Sequence, residues 1–142
     1  MEAESEKRFR LEIVTPERKL VDKQVKYVSA PGSEGEFGVL AGHTEFFTTL
    51  GTGTISYEDE EAVHMLAVSC GYAEVKPESV VILAENAEPA REIDRERAIR
   101  DRERWEKELE GLSFEDKNYK IYQAKLDRAM SRILVASQHL EK

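Results

Sequence analysis

Asp94 and Arg97 stand three residues apart in Ile93-Asp94-Arg95-Glu96-Arg97-Ala98, and further along the chain Arg128 and Arg132 stand four apart. Spacings of three and four place each pair on one face of a helix. If the two helices fold against each other, those faces can meet around a small polyanion. A planar guanidinium fork suits phosphate oxygens better than an ammonium group does, so arginines from two segments read as a phosphate clamp. The competing reading is plain: helices this charged commonly carry Arg and Glu as solvated faces with weak pairs.

Little else in the chain could do chemistry. There is no G-x-x-x-x-G-K-[ST] loop, and Gly51-Thr52-Gly53 lacks the third glycine and the following helix of a dinucleotide fingerprint. No G-x-S-x-G elbow occurs, and Cys70 has no obvious oriented base. A single cysteine rules out an internal disulfide and any multi-thiolate metal site. His43, His64 and His139 are scattered over different segments, so neither an enzyme nor a metal site is expected.

The elements that would carry the clamp follow from periodicity. Phe9, Leu11 and Ile13 alternate with Arg10 and Glu12, the period of a half-buried strand. Further apolar runs at 25–28, 46–50, 63–68 and 80–83 are mostly bounded by turn residues such as Thr15-Pro16, Pro31-Gly32 and Lys76-Pro77-Glu78. Short strands at such spacing predict an all-β sandwich or barrel. After Ala84 the composition turns to Ala, Glu, Arg and Leu, all good helix formers. Gly111 marks a helix stop, and Ser113 to Asp116 reads as a capping box that starts a second helix after a tight connection. In that second helix Tyr119, Tyr122, Leu126, Ala129, Ile133, Ala136 and Leu140 form a continuous apolar seam. The first helix answers with Ala98, Trp105, Leu109 and Leu112, interrupted by Arg102. Such a mismatched hairpin gains only a few kcal/mol on closing, at ~25 cal/mol per Å2 of apolar area. It should open readily.

The whole reads as β plus α: an N-terminal antiparallel β-sandwich over residues 1–86, then a two-helix antiparallel hairpin over residues 87–142. Of the formal charge of −8, all sits in the first part: residues 1–86 hold 8 Lys+Arg against 16 Asp+Glu, giving −8, while residues 87–142 hold 13 against 13. An acidic sandwich disfavours nucleic acid, which needs a basic footprint. It suits a partner surface with exposed basic groups. No apolar run approaches the ~20 residues of a membrane span. The acidic start Met1-Glu2-Ala3-Glu4-Ser5-Glu6 resembles neither a secretory signal nor a transit peptide.

One segment stands out: Pro31-Gly32-Ser33-Glu34-Gly35-Glu36-Phe37-Gly38-Val39-Leu40-Ala41-Gly42-His43, a glycine-rich loop expected to make a tight double turn with Glu34 and Glu36 exposed. Its stretch from Glu34 to His43, with Leu11 to Pro16, Ala67 to Val75, Ile82 to Glu85 and Ile93 to Ala98, resembles the ε subunit of bacterial-type F1Fo ATP synthase in order and spacing. The resemblance covers about residues 9–138. Pro89 after Glu88, Ala41 before Gly42-His43, and Cys70 depart from the family pattern.

The resemblance implies the same sandwich and hairpin, and a non-catalytic rotor subunit of the central stalk. Such a subunit binds the γ subunit and the c-ring, couples the catalytic head to the proton- or sodium-driven motor, and restrains ATP hydrolysis by extending its hairpin toward the α and β subunits. It implies a peripheral place on the cytoplasmic face of a bacterial plasma membrane, without insertion. It carries ATP contacts, as a regulatory ligand rather than a required cofactor, onto Glu88, Ile93, Asp94, Arg97, Ala98, Arg128 and Arg132. Glu88 and Asp94 would face the adenine, Ile93 and Ala98 would touch the base, and the arginines would hold phosphates. It places Glu34, Gly35 and Glu36 at the c-ring and His43 near γ. Apart from the resemblance, a free-standing ATP-sensing module or a structural adaptor fits the same residues.

Overall fold

The computed structural model describes residues 7–140; the acidic N-terminal segment and the side chains of His139 and Leu140 lie outside that description. Eight strands come first: β1 Phe9–Val14, β2 Lys19–Val25, β3 Tyr27–Gly32, β4 Gly35–Leu40, β5 Phe46–Leu50, β6 Gly53–Glu58, β7 Val63–Lys76 and β8 Ser79–Pro89. They pair in the order β2-β1-β8-β7-β5-β3-β4, and β6 bridges β3 and β7. The long β7 serves both layers: Val63 to Val68 pair with β6, whereas Gly71 to Val75 pair with β5. Between these halves Cys70 takes a left-handed φ of 60° and drops out of the β7–β8 pairing without a change of register.

The alternation in the first strand is realised, with Phe9, Leu11 and Ile13 all inside the core beside Val28, Ile55 and Ile82. Each buried aliphatic or aromatic side chain of this kind contributes about 1.5–3 kcal/mol. The sandwich departs from the antiparallel expectation in one place, since β1 runs parallel to β8. Most of the sandwich lies between them in sequence, which is the length a parallel pair requires.

The glycine-rich segment is not a double turn: Gly35–Leu40 is a strand paired antiparallel with β3 in a two-stranded hairpin. Its alternation is Phe37 and Val39 inward with Gly38 between and Gly35 before them, a period-2 pattern masked by the absent side chains. At Gly38 a Cβ would lie 2.4 Å from the Tyr27 hydroxyl, so a side chain there would push the exposed Tyr27 ring aside.

β8 runs to Pro89, beyond the boundary expected at residue 86, and a 3-10 turn over Ala90–Glu92 leads into α1, Arg95–Glu110. Asp94 caps that helix by accepting from the Arg97 backbone N–H at 3.1 Å, a contact worth about 1 kcal/mol. The second helix, α2, spans Tyr119–Leu140, so the expected capping box is displaced. Ser113 and Asp116 close turns within an eight-residue connection, 111–118, instead of starting the helix. α1 packs on α2, and α2 packs on β6, β7 and the 3-10 turn. Arg18 and Glu92 form a salt bridge between the β1–β2 turn and that 3-10 turn.

Asp59 closes the β6–β7 turn. It is 6 % exposed, and its carboxylate accepts from Lys23 Nζ at 2.9 Å and from the Glu61 and Ala62 N–H groups at 2.9 and 3.0 Å; His64 Nε2 lies 2.9 Å away. Burial alone would raise its pKa, but these donors, with the charge of His64, together hold it well below the usual carboxylate range. A folded-state pKa below the unfolded ~3.9 gives stability that is present above pH ~4 and fades as the pH falls toward the folded value. Asp59→Asn should therefore cost roughly 1.5–3 kcal/mol at pH 7 by urea unfolding, and the gap to wild type should narrow below pH ~4. A gap constant with pH would deny Asp59 that role.

Candidate functional site

The seam between α2 and the sandwich collects half of the expected clamp. Glu88 projects from the end of β8 to Arg132 on α2, whose NH2 donates to Oε2 at 3.2 Å. Arg132 Nε, shielded from water, sits 2.9 Å from Glu88 Oε1, yet its N–H is misaligned and left without a hydrogen bond. Asp101 on α1 lies 3.8 Å from NH1 of the same guanidinium. Arg128, one helical turn earlier, lines a narrow cleft with Glu88, Ser131, Ser69 and Asn86. That cleft is too tight to admit a water molecule. A phosphate entering here would have to displace the Glu88 carboxylate from Arg132, and it would gain an N–H that is now unsatisfied.

The other expected contacts lie at the start of α1. The Asp94 carboxylate is committed to its helix cap, and Ile93 is half-buried with its N–H on Ala90 O at 3.2 Å. Ala98 is fully buried. The Arg97 side chain is exposed and makes no hydrogen bond or salt bridge with the described residues. Two participants were missed in the sequence. Asp101 was detectable, since Asp94, Ala98 and Asp101 recur at i, i+4 and i+7 on one helix face. Arg95, which donates to Ser137 Oγ at 3.1 Å and ties the start of α1 to the end of α2, carries no such signal.

The second candidate surface is at the β3–β4 tip. Glu34, Gly35 and Glu36 are exposed there, and Ser33 Oγ meets Thr49 Oγ1 at 2.6 Å to brace the turn. His43 is half-buried, with its ring edge-to-face on Phe46 at 5.4 Å. Its Nδ1 lies 2.8 Å from the Thr44 carbonyl, which can only accept, so Nδ1 carries the proton. On the outer face Phe47 stacks on Tyr72 at 5.6 Å, and Tyr72 pairs across the sheet with Leu83. All three are at least half exposed, an apolar patch of the kind that marks an interface.

Among the described residues no group of acids, histidines and cysteines could hold a metal ion, and no described helix is long and apolar enough to cross a membrane.

The chain is 44 % identical over 131 residues to the ATP synthase epsilon chain of Citrifermentans bemidjiense, covering 92 % of this chain and 95 % of that one. Its fold matches a chain of the Euglena gracilis mitochondrial ATP synthase, in a structure comprising OSCP, F1 and c-ring, with a TM-score of 0.74 and 26 % identity over 93 % of this chain and 82 % of that one. A chain from the central stalk and c-ring of the Tetrahymena thermophila mitochondrial enzyme shares the fold, at a TM-score of 0.51 and 12 % identity over 94 % and 96 % of the two chains. Residues 8–90 match the β-sandwich domain of the ATP synthase delta/epsilon chain, and residues 91–137 match its long α-helix domain. The chain belongs to the ATP synthase delta/epsilon family, among its epsilon chains.

Proposed function

We propose that this epsilon chain is a non-catalytic rotor subunit, peripheral on the cytoplasmic face of the membrane, whose hairpin restrains ATP hydrolysis when it leaves the sandwich. The observation that carries the reading is the attachment of the hairpin. α1 packs on α2, and α2 alone of the two helices makes a substantial seam with the sandwich. That seam is pinned by the Arg132 and Glu88 pair. A partly buried pair of this kind is weak evidence for stability, because desolvation offsets much of its attraction. It suits a contact that opens and recloses.

In this reading ATP closes the switch. Arg128 and Arg132 take the phosphates, Arg97 joins them from α1, and Glu88, Ile93, Asp94 and Ala98 surround the base. Only the folded hairpin presents both halves, so ATP selects it. Phe47, Tyr72 and Leu83 form a γ-binding patch, His43 lies near γ as well, and Glu34, Gly35 and Glu36 meet the c-ring. The acidic tip favours basic groups on the ring and assists encounter more than final affinity.

Reconstituting the catalytic head with the full chain or with residues 1–90 tests this. The shorter chain is expected to fold by circular dichroism and to bind γ, while only the full chain slows hydrolysis, an effect that ATP relieves. Equal hydrolysis with both chains would remove the regulatory role. A cysteine at Glu34 is expected to crosslink to the c subunit, and crosslinking to α or β alone would overturn that placement.

A further inference from the structure

A cavity of about 240 Å3, sharing no lining residue with the arginine cleft, lies where the C-terminal half of α2 leans on β6 and β7. Leu66, Pro89 and Val135 line its apolar side, with Leu20 and Met65 continuing the wall. Its polar members are Tyr57, His64, Arg91 and Gln138. The chain carries 29 Asp+Glu, yet none lines this cavity. Arg91 is exposed there and makes no hydrogen bond or salt bridge with the described residues. His64 is held in place: Nε2 faces Asp59 at 2.9 Å, and the ring stacks on Tyr57 at 4.9 Å. The arrangement therefore combines apolar walls, one uncommitted guanidinium, and an absence of carboxylates that would repel an anion.

We infer that this cavity binds a small amphipathic anion, with an apolar body between Leu66, Pro89 and Val135 and a single anionic group on Arg91. The space falls below the ~300 Å3 of the smallest usual drug-sized pockets, which fits one aryl group or a short acyl chain. A single guanidinium pairs with one carboxylate, sulfonate or phosphate, whereas the nucleotide clamp gathers several arginines for a polyphosphate. Val135 and Gln138 come from α2 while His64, Met65 and Leu66 come from β7, so the ligand touches both only with the hairpin docked. It would hold the hairpin down independently of ATP.

The test is a nuclear magnetic resonance titration of the full chain with 4-phenylbutyrate, and with the neutral 4-phenylbutanol as its partner probe. The carboxylate is expected to give saturable shifts at His64, Leu66, Arg91 and Gln138. The alcohol, and phenylbutyrate on Arg91→Ala, should each bind about tenfold more weakly. Ala90→Trp, at a partly exposed lining position, should block the site without disturbing the core. Adding ATP should leave the phenylbutyrate shifts in place. Equal binding of acid and alcohol, no effect of Arg91→Ala, displacement by ATP, or no saturable shift would each overturn the proposal.

Discussion

Arg132→Ala should weaken ATP binding by roughly ten- to a hundredfold, the loss of one charge-assisted contact of about 1.5–3 kcal/mol. The same substitution leaves Glu88, whose side chain is only 27 % exposed, without its ion-pair partner in the closed hairpin. The closed form should therefore loosen even without nucleotide. Arg128→Ala should weaken ATP binding within the same range while leaving the Glu88 pair intact, because Arg128 lines the cleft without holding that carboxylate. Arg97→Ala separates two geometries: if α1 keeps its present position, the exposed Arg97 contributes little, and a full loss would show that α1 turns inward on binding. Glu88→Gln gives the sharpest contrast. It removes the anion competing for Arg132, so inorganic tripolyphosphate should bind more tightly, whereas ATP gains less if Glu88 also meets the adenine. Calorimetry on this series decides the matter, and wild-type binding unaffected by both Arg128→Ala and Arg132→Ala would sink the clamp.

Gly71→Ala should destabilise the sandwich by about 2–5 kcal/mol. A Cβ at this position would lie 2.1 Å from the Leu83 carbonyl oxygen and 2.9 Å from the Ala84 Cα, both backbone atoms that cannot rotate aside. Its φ of +150° adds strain for any residue with a side chain. Overpacking and backbone strain each cost about 1–3 kcal/mol. Gly51→Ala is the matched control, since nothing lies within 4 Å of its would-be Cβ and its φ is ordinary. Urea midpoints should fall sharply for the first and barely move for the second. Equal midpoints would mean that β7 and β8 can separate at Gly71 without loss.

Strand positions with plain period-2 patterns were legible, as Phe9, Leu11 and Ile13 show. β4 was not, because Gly35 and Gly38 take two of its six positions and Gly32 closes the strand before it, and glycine carries no side-chain pattern to read. β2 and β3 were also read as one short run at 25–28, although the chain breaks pairing at Lys26 and turns a strand on either side. Charge and polarity dominate β2 because its outer face is paved by salt bridges, with Asp22 accepting from Arg10 and Lys19. Those contacts, Arg10 first and then Lys19, lower the exposed Asp22 carboxyl to about 2. The Arg10 and Asp22 pair crosses from β1 to β2 and follows from register, which local composition does not specify.

The amino-acid sequence by itself determined the two-part architecture, the helices that carry Arg97, Arg128 and Arg132, and the family. These rest on local periodicity and on residue order, both properties of neighbours along the chain. Tertiary structure alone decided that Glu88 reaches Arg132 across 44 residues, and that Val135, outside the predicted seam, is buried against the sandwich. Those outcomes depend on how α2 is rotated and set against β7. That rotation is fixed by packing whole faces together, in which every side chain constrains the others.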